Sequence, residues 1–377
     1  MAGIYIHIPF CKQACHYCDF HFSTSLRSKD RMLAAILSEA QLRKTYLENQ
    51  TVETIYFGGG TPSLLNADEI HRILDWIFRH FTVSPSAEIT LEANPDDLTY
   101  LKILELKRTP VNRLSIGVQS FRNEDLLWMN RAHNASQADY AIKCSQDRGF
   151  ENITIDLIYS IPGLAHHTWI QNVQKAVDME VQHISAYSLT IEAKTALGHQ
   201  YARGEIQPVA DTASEEQFLS LRHLLQRNGF EQYEVSNFCK PNMHSRHNSS
   251  YWTGAHYLGL GPSAHSFNGT GRQWNIANNA QYIKGIEEGF PMFEVEVLDE
   301  KTRYNEYLMT RLRTSWGVDV SYLMHTFGVD ILSTEKEQLE TWQNNGLLLV
   351  DNNTIRLTEQ GLLHADRIAS DLFIVKS

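Results

Sequence analysis

Cys11-Lys12-Gln13-Ala14-Cys15-His16-Tyr17-Cys18 sets three cysteines on one short segment near the start of the chain. Three thiolates at the spacing C-x3-C-x2-C can hold three irons of a cubic iron–sulfur cluster and leave the fourth iron without a protein ligand. An iron left open in this way can chelate an amine together with a carboxylate. Two other readings of the same residues stay open. A structural zinc ion wants four ligands, with His16 or a distant residue as the fourth. A disulfide framework wants an even cysteine count and a secreted chain, and this chain has five cysteines.

Outward from the loop, short β-branched runs recur at residues 4–8, 54–57, 87–92, 113–117, 153–158 and 183–189. Segments of helical periodicity separate them, at residues 30–47, 67–81, 135–147 and 167–179. Strands alternating with helices predict right-handed βαβ units and a parallel sheet. Six units predict an α/β architecture of the incomplete (β/α)6 barrel type, with a doubly wound open sheet as the alternative. Polar and glycine-rich residues follow these strands. The cysteine loop follows the first, Gly58-Gly59-Gly60-Thr61-Pro62 the second, Glu92-Ala93-Asn94-Pro95 the third and Gln119-Ser120-Phe121 the fourth, while Asp156 lies within the fifth. The C-terminal strand ends of a parallel barrel share one rim, so this pattern predicts one large cofactor or catalytic site.

The pattern breaks near residue 205. The expected organisation is a partial barrel at 1–205, a barrel extension at 206–299 with irregular chain rich in His, Asn and Tyr, and a smaller, mainly helical C-terminal region at 300–377. In the last region a hairpin turning at residues 351–353 gives a winged-helix-like pattern. The 377 residues carry a formal charge of −11, which argues against a broad nucleic-acid surface. The N-terminus lacks a secretory n-region, no apolar run approaches a membrane span, and the cysteine usage fits a reducing compartment. A cytoplasmic protein is expected, with peripheral membrane contact left open. Cys144, in a helical segment, reads as a small buried hydrophobe.

Several residues suit a ligand at the rim. Gly58 to Gly60 form a turn whose backbone amides can approach a ligand carboxylate. Glu92 offers a carboxylate for an ammonium group, against the plainer reading of a solvated strand end. Gln119, Arg131 and Asp156 offer an amide, a fixed cation and a hydroxyl acceptor. Arg131 reads equally as a surface ion pair. Asp156 stands within Thr154-Ile155-Asp156-Leu157-Ile158, where a carboxylate is costly without a partner or a polar cavity.

With these motifs in order, the chain resembles the coproporphyrinogen III dehydrogenase-like branch of the radical SAM superfamily. The resemblance rests on Tyr5-Ile6-His7-Ile8-Pro9-Phe10-Cys11 and on residues 58–63, 91–95, 112–121, 155–163, 186–192, 233–237 and 259–265. It implies a [4Fe-4S] cluster on Cys11, Cys15 and Cys18. It places Tyr5, Tyr17, Gly59, Gly60, Thr61, Glu92, Gln119, Arg131 and Asp156 around S-adenosyl-L-methionine, with one or two molecules of it bound.

The branch holds dehydrogenases that decarboxylate two propionates of coproporphyrinogen III, and HemW-type haem chaperones. The chain is more similar to the chaperones. Phe20 stands where the dehydrogenases carry a further cysteine, their N-terminal extension is lacking, and Arg246-His247-Asn248-Ser249-Ser250-Tyr251-Trp252 resembles the chaperones' His-Asn-x-x-Tyr-Trp signature. The resemblance implies haem as cargo, haem-recipient proteins (respiratory ones among them) as partners, a homodimer, and haem held near His247, Asn248, Tyr251 and Trp252. An imidazole is a haem ligand, and Tyr and Trp offer flat apolar area with polar tips. His244, Met243, Cys239 and His265 are alternative ligands. The rival functions are an oxygen-independent coproporphyrinogen III dehydrogenase and a structural zinc protein.

Overall fold

The computed structural model describes residues 2–374. Met1 and residues 375–377, at the outer ends of the first and last expected regions, lie outside the described residues. Six parallel strands pair in chain order: β1 (Ala2–Ile8), β2 (Val52–Gly59), β3 (Val83–Ala93), β4 (Arg113–Gln119), β5 (Ile153–Tyr159) and β6 (His183–Ser188). Helices cross over between them. The helix Ala67–His80 shows why: Asn66 and Glu69 form a reciprocal capping box at its start, and Ile70, Ile73, Leu74 and Ile77 make one buried stripe.

Each strand alternates in the same sense. Ile4, Ile6 and Ile8 of β1, and Leu114, Ile116 and Val118 of β4, are fully buried in the main hydrophobic cluster with helix residues such as Met32, Leu33 and Ile36. Between them stand Gly3, Tyr5 and His7, and Arg113, Ser115 and Gly117, on the opposite face. Burial of the apolar rows against helices holds the sheet, and the other face is left polar. That polar face is the lumen of the incomplete barrel.

The sheet continues past both ends of the six-stranded unit. Beyond β6 run β7 (Glu231–Glu234) and β8 (Asn237–Cys239), with β8 antiparallel to β6. Beyond β1 run β9 (His256–Leu260), β10 (His265–Phe267), β11 (Gly271–Asn275) and β12 (Phe293–Val297). Of these, β9 is parallel to β1 and the others are antiparallel. The twelve strands form an open sheet with β12 and β7 at its edges. Residues up to Asn268 expected as irregular chain thus include β7 to β10. These four strands are short, so pairing with the ends of the parallel sheet, more than local pattern, makes them extended.

A second cluster, including Tyr304, Leu308, Trp342, Leu348, Ile355 and Ile368, builds the C-terminal unit of helices and one small sheet. That sheet contains β13 (Val318–Asp319), β14 (Leu348–Asp351) and β15 (Thr354–Leu357), in the order β13-β15-β14. Asn352 takes a positive φ of 50° in the β14–β15 turn. The unit is tied to the barrel by the Val235 amide on the Arg313 carbonyl and the Ser315 amide on the Tyr233 carbonyl, both at 3.0 Å. Among the described residues no helix is long and apolar enough to cross a membrane.

Candidate functional site

The loop after β1 is fixed by its neighbours. The Cys11 amide donates to the Ser23 carbonyl at 3.0 Å, and the His16 amide donates to the Met129 carbonyl at 3.0 Å. Asn130 donates to the Ala14 carbonyl at 2.7 Å, and Lys12 is paired with Asp96 and Asp97. All three loop cysteines are free thiols and half-buried. Among the described residues no three His, Cys, Asp or Glu side chains converge as ligands of a single ion. The thiols are near enough to act on one another electrostatically. Burial raises the Cys11 thiol, opposed by a hydrogen bond from Thr61, and pushes Cys18 up to about 12.

Arg131 is the hub of the rim. Its Nη1 donates to Cys15 Sγ and to the Tyr17 hydroxyl, each at 3.3 Å. Its Nη2 donates to Asn94 Oδ1 at 2.7 Å and to the Gly117 carbonyl at 2.8 Å. The surface ion pair considered from sequence is therefore replaced by a half-buried cation beside a thiol. A fixed cation beside this sulfur complements the negative charge that a cysteine-ligated iron–sulfur cluster would bring to the loop.

The glycine turn differs from its expectation in one respect. The Gly60 amide is spent on the Ile8 carbonyl at 2.9 Å, the Thr61 amide on the Phe10 carbonyl at 2.7 Å, and the Gly59 amide on Glu92 Oε2 at 3.2 Å. The Gly60 and Thr61 N–H groups hold the turn against the end of β1 and the residues just after it, and the Gly59 N–H is held by Glu92 of β3, so these three amides are already engaged. Gly59 has φ +104°, and a Cβ there would lie 2.6 Å from the His7 ring.

Below the rim, Tyr5, Glu92 and Asp156 face the lumen. The Tyr56 hydroxyl donates to Glu92 Oε1 at 2.8 Å. Burial, reinforced by Asp156, lifts Glu92 to about 7. Burial also lifts Asp156 to about 6, against hydrogen bonds from Ser185 and Ser115 and the charge of Arg113. The cost of a carboxylate inside an apolar strand is met by these hydroxyls and the polar cavity. Tyr5 donates to His7 Nδ1 at 3.2 Å and lies 6.1 Å from the Tyr56 ring. Gln119 ends β4 with a positive φ of 65°. Tyr187 is exposed and pairs in register with Ile158 across β5 and β6, so it stands on the same face as Asp156.

The helix Arg246–Thr253 closes the lower end of the lumen, its first amides donating to the Glu88 carboxylate at 3.0 Å. His247 is 1% exposed. Its Nδ1 shares a hydrogen bond with Thr54 Oγ1 at 2.8 Å and its Nε2 one with the Tyr251 hydroxyl at 2.9 Å. Its ring stacks on Tyr56 at 4.9 Å. With both nitrogens occupied, the ring has no free lone pair for iron in this arrangement. The signature also splits. His247 and Tyr251, one turn apart, face the lumen, while the Trp252 ring lies 6.0 Å from the Arg313 guanidinium on the C-terminal unit. Asn248 donates its amide to Ser245 Oγ at 3.4 Å, as part of the helix cap. His244 packs edge-on to Tyr233, and Cys239 is fully buried.

Sequence reasoning placed Asn94 at the rim without a role, whereas it bridges Arg131 and Thr61, and it missed Tyr56, Arg113 and Tyr187. The signal was the period of two. Thr54 and Tyr56 alternate with Ile55 and Phe57, as Arg113 and Ser115 alternate with Leu114 and Ile116.

An incomplete α/β barrel with three thiols and a glycine turn at one rim, and two carboxylates in the lumen below it, is the arrangement of a radical SAM protein. The Radical SAM superfamily model matches residues 5–176, and the HemN C-terminal domain model matches residues 298–364. The chain is 33% identical over 375 residues to the heme chaperone HemW of Mycobacterium tuberculosis (strain H37Rv), covering 98% of this chain and 94% of that one. It is 31% identical over 373 residues to the heme chaperone HemW of Bacillus subtilis (strain 168), covering 98% of each. Its fold matches that of the coproporphyrinogen III oxidase HemN of Escherichia coli with a TM-score of 0.84 at 21% identity, covering 98% of this chain and 89% of that one. The chain belongs to the HemW family of radical SAM proteins.

Proposed function

We propose that the chain is a haem chaperone that holds a [4Fe-4S] cluster on Cys11, Cys15 and Cys18, binds S-adenosyl-L-methionine in the lumen, and delivers haem to recipient proteins. The carrying observation is its likeness, over nearly the whole length, to proteins named heme chaperone HemW. The rim supports the cofactor reading, because Arg131 donates to Cys15 while Glu92 and Asp156 face the adjoining lumen. In this reading Glu92 receives the ammonium of S-adenosyl-L-methionine, beside the turn of Gly59, Gly60 and Thr61. Gln119 and Asp156 accept from its hydroxyls, Arg131 orients the thiolate side, and Tyr5 and Tyr17 wall the ligand. When bound, the cluster supplies an electron to the sulfonium.

Haem is carried on the lumen side of the 247–252 segment. Respiratory haem proteins as recipients, a homodimer, and a cytoplasmic setting belong to the same proposal, as does the division at residues 205 and 299. The test is anaerobic incubation of cluster-reconstituted protein with reductant, S-adenosyl-L-methionine and coproporphyrinogen III, followed by haem titration. Haem binding without decarboxylated product is expected. Decarboxylated product at repeated turnover would make the chain a dehydrogenase. Zinc without acid-labile sulfide in the protein as purified anaerobically would overturn the cluster reading.

A further inference from the structure

The lumen face of the sheet does not end at β1. Tyr5 pairs with Tyr56 on one side and with Gly259 on the other. At Gly259 strand β10 crosses so closely that a Cβ would lie 2.0 Å from the His265 carbonyl oxygen. His265 then pairs with Trp274, and Trp274 with Glu294. The neighbouring row runs from Tyr257 to Phe267, Arg272 and Glu296. Registered residues on paired strands share a face, so these side chains form one shelf that extends from the lumen wall.

Aromatic rings cover that shelf. His265 stacks beside Trp274 with ring centres 5.9 Å apart and planes 24° apart. Phe267 lies 6.2 Å from Tyr257, and Tyr257 meets Tyr251 edge-on at 4.8 Å. The shelf therefore joins the Tyr251 side of the signature helix to an exposed histidine. Arg272 adds a cation, shared with Glu296 and Glu306.

His265 and His247 differ in what an iron ligand needs. Among the described residues neither nitrogen of His265 has a hydrogen-bond partner, and the residue is exposed. Burial on one side and Arg272 both lower its proton affinity, which keeps the ring neutral with a free lone pair.

We infer that His265 is the axial ligand of a haem bound on this shelf, with Trp274 bracing the imidazole and Phe267, Tyr257 and Tyr251 lining the porphyrin side. An axial imidazole stands upright on the porphyrin plane, so Trp274, nearly parallel to it, meets the porphyrin by its edge. His247 acts by holding Tyr251 in place. The inference rests on the haem-chaperone reading, and it adds the ligand and the surface.

The test is titration of the full chain with ferric protoporphyrin IX, for the wild type, His265→Ala and His265→Gln, with circular dichroism to confirm folding. The wild type is expected to show a histidine-type Soret spectrum. Both variants are expected to bind at least tenfold more weakly with a shifted Soret band, and added imidazole is expected to restore the spectrum of His265→Ala. If the wild type binds and both folded variants keep its affinity and spectrum, the assignment of His265 is wrong while the chaperone reading stands. If the folded wild type binds no haem, the chaperone reading itself fails.

Discussion

Replacing Glu92 by Gln separates the electrostatic cost of a buried carboxylate from the ligand-binding role proposed for it. Burial lifts this group from the usual 4.5 to about 7, so its ionised form is disfavoured in the folded protein. A raised value means that the folded state holds a proton the unfolded state has lost. The stability it contributes is complete below the unfolded value and disappears as pH rises through about 7. At pH 8 the buried charge then costs up to about 3 kcal/mol, from roughly 1.4 kcal/mol per pH unit. Glutamine removes that cost and keeps the Tyr56 bond, but it can lose the one from Gly59, about 1 kcal/mol. The ligand-free variant is therefore expected to be about 1–2 kcal/mol more stable at pH 8. Binding moves the other way. A charge-assisted hydrogen bond to the ligand ammonium is worth about 2–3 kcal/mol, so affinity for S-adenosyl-L-methionine should fall about 30- to 150-fold. Wild-type affinity should rise about tenfold from pH 6 to pH 8, as Glu92 ionises, while that of the variant stays flatter. Denaturant unfolding and calorimetric titration at both pH values measure all of this. A variant that is less stable at pH 8, or that binds the ligand within threefold of wild type, would refute the reasoning.

Three further substitutions probe the rest of the frame. Cys15→Ala leaves two loop thiols and removes the sulfur that Arg131 contacts, so reconstituted protein should lose its brown absorption; full iron and sulfide content would count against the ligand set. Glu39→Ala deletes a carboxylate that is 1% exposed and accepts from Arg43, Asn275, Tyr282 and the Gly261 amide, and thermal unfolding should show a loss of about 3–5 kcal/mol. A loss below about 1 kcal/mol would mean that this junction between the first helix and β9–β11 is not what holds the sheet extension. Gly59→Ala drives a Cβ against the His7 ring at φ +104° and should cost about 2–4 kcal/mol and abolish ligand binding, read by the same two assays.

The six strands of the barrel were legible because each carries apolar residues at alternate positions that helices must cover. Ile4, Ile6 and Ile8 announce β1 without help from the rest of the chain. The rim was legible for a different reason, since cysteines at fixed spacing, three consecutive glycines and a carboxylate in an apolar strand are costly without a purpose. What could not be read locally was decided by pairing. His265-Ser266-Phe267 has no strand signature, and it becomes β10 because Gly259 allows it to cross and Trp274 pairs with it. Arg131 was ambiguous because a guanidinium in Asn130-Arg131-Ala132 shows neither burial nor partners until the loop folds over it. The His247 reading shifted for the same reason. Imidazole chemistry is visible in sequence, but the occupation of its two nitrogens by Thr54 and Tyr251 is a tertiary fact.

The division of the sheet into an apolar outer face and a polar inner face also bears on how one fold is shared by a coproporphyrinogen III oxidase and the HemW family. The outer rows bury against helices and carry the stability, so they constrain the inner rows very little beyond side-chain size. Inner residues are then free to pay a local electrostatic cost, as Glu92 and Asp156 do, because the outer packing over-determines the strands that hold them. Ligand contacts can change along the inner face without unfolding the barrel, provided hydroxyls such as Ser115, Ser185 and Tyr56 keep the carboxylates solvated. The same logic extends to the added strands. On β9–β11 the outer face is tied to the helix carrying Glu39, while the lumen face keeps an exposed imidazole beside half-buried aromatic rings. Half-exposed rings beside a secured core cost less than they would on a marginal sheet, and in the proposed reading they are the place for a flat ligand. A substitution on the lumen face, such as Trp274→Ala, should therefore change haem binding while leaving the unfolding midpoint nearly unmoved, whereas Leu258→Ala on the outer face of the neighbouring β9 should cost about 2–5 kcal/mol. Equal losses of stability from the two would show that function and stability are not separated by face, and that the shelf is part of the core.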